Sequence, residues 1–243
     1  MKNTALVVAY DPLGGDSLMS LPAICGLAEK YDHLYVEMAN AGVWEIADFP
    51  PNVSWAWGCG FQPNRHFLGM AAAIGYGFTS DMLHPTQSLM RFVGLDVPPE
   101  PVRPRIKPYS GGGPVPEFDV VIAPFTTAAE RTLTVAQTWD LRTRLGDHTV
   151  AVLGGGTNPD VPFVQCYYNQ PFAWGAELLR KAKVVVAIDS FPGRLAHAAG
   201  VKHHIVLDTG ATPPQTQTYP GAIIMRVLSL GLEAVAERVL SLL

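Results

Sequence analysis

No run of lysine or arginine long enough to neutralise a nucleic-acid backbone occurs in this chain, where 17 basic residues stand against 21 acidic ones for a formal charge of −4. Charge therefore gives no support to a nucleic-acid partner. Long hydrophobic runs are also missing. The apolar stretches stop well short of the roughly 20 residues that cross a bilayer, so the chain reads as soluble, without a transmembrane segment. The first of them, "TALVVAY", ends at Asp11 with no small-residue cleavage site behind it, and reads as a strand instead of a leader. Cysteine is scarce too. Cys25, Cys59 and Cys166 are odd in number and lack metal-ligand spacing, which suits buried thiols in a reducing, cytoplasmic compartment. His203 and His204 are neighbours in a strand-like run, where successive side chains face opposite ways, so they do not suggest a shared metal ion. There is no Walker loop, nucleophile elbow or zinc spacing. The triplet Gly154 to Gly156 lacks the spaced glycines of a dinucleotide fingerprint, so a nicotinamide dehydrogenase is not supported, and Gly155 is expected only to line a ligand cleft.

What is present is apolar substance and alternation. The 243 residues are 48% hydrophobic and 16% charged, enough for one large or two small cores. Short β-branched runs alternate with longer helical stretches, and Gly, Pro or Asp stand at the junctions, which is the pattern of a parallel α/β sheet. "TALVVAY" and "HLYVEMA" read as strands. Between them Leu18, Leu21, Ile24, Cys25 and Ala28 recur at spacings of three and four, giving a helix one apolar face. "FPPNVSWAWGCGFQPNRHF" has no sustained period and supports no element. The stretch "YSGGGPVPE" has the composition of a connection. It divides the expected organisation into residues 1–109, a linker at 110–117, and residues 118–243. In the second part "DVVIAPF", "TVAVLGG", "VVVAID" and "HHIVLD" read as strands with helices between them. The final "VLSLGLEAVAERVLSLL" reads as an amphipathic helix packed on the sheet. The expectation is an α/β protein of two Rossmann-like domains whose parallel sheets face a central cleft.

Three places could carry chemistry, all at the carboxyl ends of strands, where such sheets keep their ligands. In "DPLGGDS", Gly14 and Gly15 permit a tight turn and close approach of a ligand, and Asp16 or Ser17 can cap the following helix. Capping and proton transfer are both open to Asp16 on this pattern. In "IDSFPGRLAHAAG", a strand ends at Asp189, Ser190 can cap, and Pro192 falls in the first helical turn. The amides and positive end of that helix suit a phosphate or diphosphate, to which Arg194 could add a charge-assisted fork; a solvated Arg194 on a capped helix fits equally. In "APFTTAAERTLT", Thr126, Thr127 and Arg131 could hold phosphate oxygens as well.

Taken together these stretches resemble glycosyltransferase family 9, the heptosyltransferase-like enzymes. "GDSLMSLPAI", from Gly15 to Ile24, matches the family's Gly-Asp-x-Leu-x-x-x-Pro-Ala pattern. "DSFPGRLAHAAG" keeps Asp189, Ser190, Pro192, Leu195, Ala196, Ala198 and Gly200 of its Asp-Ser-Gly-Pro-x-His-Leu-Ala-Ala-Ala signature. "HPTQSLMRFVGLDVPPEPVRPRIKP" and "TTAAERTLTVAQTW" resemble its intervening segments, so the similarity runs through nearly the whole chain. The resemblance implies a GT-B fold, an acceptor bound by the first domain and a nucleotide-diphosphate sugar by the second, and inverting transfer without a metal or other cofactor. Asp16 is then the implied general base. Thr126, Thr127, Arg131, Asp189, Ser190 and Arg194 are the implied donor-side residues. The acceptor is implied to be a glycan, a lipid-linked sugar or another hydroxyl compound, including a modified DNA base in a phage setting, in a cytoplasmic location that allows peripheral contact with the inner membrane. Three positions depart from the family: Phe191 replaces the signature Gly, Arg194 the His, and Arg131 a Lys. The first lobe is also short. A non-catalytic nucleotide-sugar-binding protein of the same fold is the alternative, and an epimerase lacks a matching acid/base pair.

Overall fold

Strands in this chain that are buried on both sides consist almost wholly of Val, Ile, Leu and Ala, as a parallel sheet covered on two faces requires. The computed structural model describes residues 3–56, 64–69, 83–155, 159–210 and 219–243. Cys59 and Gly156 lie outside them. The chain divides into two compact units, Met1–Lys107 and Pro108–Leu243. Residues 110–117 carry no helix or strand; Val115 is buried, and its carbonyl accepts a hydrogen bond from Lys181 Nζ at 3.1 Å.

The first unit holds β1 (Thr4–Ala9), α1 (Gly14–Ala28), β2 (His33–Met38), α2 (Ala41–Ile46), β3 (Val53–Trp55), β4 (Asn64–Leu68) and α3 (Pro85–Phe92). Its strands pair in parallel in the order β3-β2-β1-β4. Along β1 and β2 buried residues alternate with half-buried ones and with the exposed Glu37, so one face is sealed and the other is partly open. Leu18, Leu21, Ile24 and Ala28 are buried as their spacing predicts, together with Met19, Ala23 and Leu27. That burial carries α1 through Pro22, which cannot supply the amide that would bond the carbonyl four residues earlier. Cys25, half-buried on the same helix, has its thiol pushed up to about 11 by burial, which disfavours the thiolate.

The second unit holds β5 (Val120–Ala123), α4 (Val135–Arg144), β6 (Val150–Gly154), β7 (Gln165–Tyr168), α5 (Phe172–Lys181), β8 (Val184–Ile188), α6 (Phe191–Ala199), β9 (His204–Asp208), β10 (Ile223–Arg226) and α7 (Val227–Leu240). Its parallel sheet runs β7-β6-β5-β8-β9-β10, a doubly wound order whose direction reverses between β5 and β8. The core gathers Val120, Ile122, Val184, Val186, Ile188, Ile205 and Leu207 from these strands with Leu141, Leu145, Val235 and Val239 from α4 and α7 and their ends. Each such side chain contributes about 1.5–3 kcal/mol on burial. The final helix is not continuous. Gly231, at φ 73 and ψ 168, breaks it after its first turn.

His204 opens β9 with 3% of its surface exposed, whereas His203 is only half-buried, in keeping with opposite faces. The ring of Tyr219 stacks on both His197 and His204. Burial, reinforced by His197, lowers the His204 pKa from 6.5 to about 3. The folded chain therefore disfavours a proton that the unfolded chain accepts below about 6.5, and stability falls as pH is lowered from there toward 3. Urea denaturation at about pH 7 and about pH 5 should show this loss, and His204→Asn should remove that part of it; an unchanged pH dependence in the variant would refute the assignment.

Candidate functional site

A reversal of strand order leaves a gap where two helices depart in opposite directions from adjacent strand ends, and in the second unit that gap opens at the carboxyl ends of β5 and β8. Both donor-side motifs lie there. After β5 the chain passes through Phe125, which is buried, to Thr126 and Thr127 and a single 3-10 turn, Ala129–Arg131. Thr132 closes this loop: its hydroxyl accepts the Thr126 amide at 3.1 Å and donates to the Thr126 carbonyl at 3.1 Å. Leu133 N–H bonds back to the Pro124 carbonyl at 2.9 Å. Among the described residues the hydroxyls of Thr126 and Thr127 enter no hydrogen bond. Thr132 is a residue that the sequence pattern did not single out, because one threonine of four in "TTAAERTLT" carries no spacing signal.

After β8 the chain continues through Asp189 and Ser190 into α6. The first helical bond runs from Arg194 N–H to the Ser190 carbonyl at 3.1 Å, so the amides of Phe191 and Gly193 precede the intrahelical ladder. Pro192 sits in this first turn as expected. Ser190 is not a side-chain cap. Its backbone is fully extended, and its hydroxyl instead turns back to the Ile188 carbonyl at 3.4 Å. Helix α6 begins directly over the end of β8, and a Cβ on Gly193 would lie 2.8 Å from the Ile188 carbonyl oxygen. At the other end Gly200, at φ 74, closes α6 with its amide toward the Ala196 and His197 carbonyls.

Two cations converge on Asp189 from the two sides of the gap. Arg131 Nη1 donates to the Asp189 carbonyl at 3.3 Å, and Arg194 Nε lies 3.7 Å from Asp189 Oδ1. The Asp189 side chain is 2% exposed and that of Arg194 10%. A solvated Arg194 is thus excluded, and the Asp189 carboxylate faces the guanidinium from inside. The Phe191 ring packs on Phe172, the first residue of α5, with centroids 4.2 Å apart. Its bulk is taken up between two helix starts. Gly155, exposed, follows β6 with nothing within 4 Å of where its Cβ would be.

On the strand next to β8, Asp208 ends β9. It accepts the Gly210 amide at 2.7 Å and pairs with Arg226 Nε at 3.1 Å at the end of β10. The rule that picked out Asp189 at a strand end applies equally to Asp208; Arg226 escaped because "IIMR" was not read as a strand.

In the first unit, Gly14 and Gly15 are the first residues of α1, and Asp16 the third. The residue in the capping position is Leu13, whose side chain makes no cap bond. Neither Asp16 nor Ser17 caps the helix, because the helix starts at Gly14, three residues earlier than a cap at Asp16 would allow. The Ser17 hydroxyl is used by the Asp11 carbonyl at 2.6 Å, and that of Ser20 by the Asp16 carbonyl at 3.4 Å. Asp16 is half-buried in the first turn of α1. Among the described residues no three His, Cys, Asp or Glu side chains come together as a metal site.

No family model and no curated protein matches the sequence. Solved structures do resemble the chain. The iron-containing dodecameric glycosyltransferase TibC from enterotoxigenic E. coli H10407 superimposes with a TM-score of 0.69 at 15% identity over 93% of this chain. A glycosyl transferase family 9 structure from Veillonella parvula gives 0.67 at 11% identity, covering 97% of this chain and 89% of that one. E. coli heptosyltransferase WaaC with ADP gives 0.64 at 13%, covering 99% of this chain and 100% of that one. The chain spans only 65% of the length of TibC. At these identities the likeness establishes the fold alone, a GT-B-like, heptosyltransferase-like fold with two parallel α/β units.

The close seat of α6 on β8 should make Gly193→Ala costly. Overpacking of about 1–3 kcal/mol is expected, read as a lower midpoint in thermal or urea unfolding. Gly155→Ala, with open space around it, should stay within about 0.5 kcal/mol; equal midpoints for the two variants would contradict the packing described.

Proposed function

We propose that this protein is a glycosyltransferase that moves a sugar from a nucleotide-diphosphate sugar to an acceptor hydroxyl. The observation that carries the reading is the convergence of Arg131 and Arg194 on Asp189, at the gap in strand order and beside the first-turn amides of α6. Two guanidinium groups and a helix N-terminus together match the doubly charged diphosphate, which is the part common to all nucleotide-sugar donors. The folds of TibC, crystallised with ADP-D-beta-D-heptose, and of WaaC, crystallised with ADP, support the same ligand class.

In this reading the acceptor hydroxyl loses its proton to Asp16 as its oxygen attacks the anomeric carbon from the side opposite the diphosphate, inverting that centre. The bond from the anomeric carbon to the diphosphate oxygen breaks. The charge gathering on the leaving group is met by the α6 amides, Arg131, Arg194 and the hydroxyls of Thr126 and Thr127. Asp189 acts through Arg194, since a carboxylate would repel the diphosphate and its side chain is enclosed. The scheme uses no metal.

Calorimetric titration with UDP, ADP, GDP and CMP tests the donor side. One nucleoside diphosphate should bind selectively, and Arg131→Ala should weaken it about 10- to 100-fold, the worth of one charged hydrogen bond. Arg131 is the cleaner probe, because removing Arg194 strands a buried carboxylate. Asp16→Ala should bind the nucleotide like the unaltered chain while losing about 10²- to 10⁴-fold in sugar transfer or slow donor hydrolysis. Absence of any nucleotide binding, or full turnover in Asp16→Ala, would contradict the proposal.

A further inference from the structure

The loop that joins β5 to α4 is anchored at both ends, and its middle is held by one side chain. Upstream, Pro124 and Phe125 are buried; downstream, Leu133 is 2% exposed and packs into the core of the second unit. The Leu133 amide bonds the Pro124 carbonyl at 2.9 Å and closes the neck of the loop. Thr134 then starts α4 through a capping box, its hydroxyl accepting the Gln137 amide at 3.1 Å while Gln137 Oε1 accepts the Thr134 amide at 2.8 Å. Between these anchors lies the segment from Thr126 to Thr132, which carries the hydroxyls of Thr126 and Thr127 and the guanidinium of Arg131.

Thr132 ties that segment together. Its hydroxyl oxygen accepts the Thr126 amide at 3.1 Å, and its proton faces the carbonyls of Thr126 at 3.1 Å and of Ala128 at 3.3 Å. Among the described residues no other side chain makes a hydrogen bond within residues 124–133. The backbone adds the bonds of the 3-10 turn, from Arg131 N–H to the Ala128 carbonyl at 3.0 Å and from Thr132 N–H to the Ala129 carbonyl at 3.2 Å. The Ala128 carbonyl therefore serves both the turn and the Thr132 hydroxyl, and the same contact fixes where Arg131 leaves the backbone. Arg131 itself reaches Asp189 through a long bond, Nη1 to the carbonyl at 3.3 Å. Such a bond does not by itself order so long a side chain, so the backbone that bears it has to be held.

Resting on the reading of Thr126, Thr127 and Arg131 as diphosphate-binding groups, we infer that Thr132 is a positioning residue for the diphosphate. It acts through the loop and not on the ligand, holding those three groups toward the gap between β5 and β8. With its amide spent on Thr132, Thr126 can meet an anion only through its hydroxyl. Without the tie the ligand itself would have to order the segment, and that ordering would be subtracted from its affinity. A purely structural Thr132 would cost stability and leave affinity unchanged, which is the behaviour expected of Thr134, whose side-chain bonds stay within the start of α4.

Inorganic pyrophosphate, titrated calorimetrically, is the probe, since it carries the diphosphate without base or sugar; the nucleoside diphosphates are titrated in parallel, with the same ratios expected. Thr132→Val keeps the shape of the side chain without its hydroxyl and should weaken binding at least about tenfold, while Thr132→Ser should return to within about twofold of the unaltered chain. Thr132→Ala supplies the same loss should the valine variant not fold. Thr134→Ala should lower the melting temperature and leave affinity within about twofold. In the Arg131→Ala background Thr132→Val should cost less than in the unaltered chain, because one of the groups it positions is gone. Unchanged affinity in Thr132→Val, no recovery in Thr132→Ser, an equal loss in Thr134→Ala, or full additivity with Arg131→Ala would overturn the inference. Weakened binding in Arg131→Ala beside undiminished binding in Thr132→Val overturns it alone, whereas no binding of pyrophosphate or of any nucleoside diphosphate by the unaltered chain removes the diphosphate reading and this inference with it.

Discussion

The seat of α6 on the end of β8 governs the geometry of the second unit's site. With no side chain at Gly193, the helix starts directly on the Ile188 carbonyl, and its first turn projects from the sheet where the strand order reverses. A helix displaced by even a methyl group would carry Arg194 away from Asp189 and Asp189 away from Arg131. A carboxylate as enclosed as that of Asp189 is tolerable only with a cation facing it, so the ion pair and the close packing depend on each other. The same arrangement leaves the amides of Phe191 and Gly193 ahead of the helical ladder, available in direction for an anion.

The two units repeat one topological idea. Each has a switch in strand order, between β1 and β4 in the first and between β5 and β8 in the second, and each places the start of a helix beside it. In the second unit arginines approach that point from both sides. In the first, Asp16 and the exposed Leu13 stand at the start of that helix. The proposed function sets the diphosphate at the former and the proton-accepting carboxylate of Asp16 at the latter, the division of labour that glycosyl transfer needs.

Much of this was legible in the sequence because buried parallel strands have a plain signature. "VVIA", "VAVLG", "VVVAI" and "HIVLD" are fully buried and stood out as apolar runs. The edge strands did not. β3 has three residues, β4 is "NRHFL" and β7 "QCYY", and strands covered on one side carry too few apolar residues to announce themselves. Helix starts were misjudged for a related reason. Asp16, Ser17 and Ser190 have the right chemistry for capping, but the glycines let α1 begin at Gly14, and the extended backbone of Ser190 sends its hydroxyl back to Ile188. The resemblance of "GDSLMSLPAI" and "DSFPGRLAHAAG" to family 9 led to the right fold even with Phe191 in place of glycine, since Phe172 at the start of α5 receives the extra ring. The burial of Arg194 and the loop-closing role of Thr132 could not be read, because they depend on residues five and six positions apart meeting across a turn of the chain.

The most direct test of the central claim is a crystal structure of the chain soaked or grown with the nucleoside diphosphate that it binds most tightly. The account predicts diphosphate oxygens within hydrogen-bond distance of the first-turn amides of α6 and of the Arg131 guanidinium, with the Asp189 carboxylate still turned toward Arg194. A nucleotide bound elsewhere on the second unit, or a diphosphate directed away from both arginines, would contradict it.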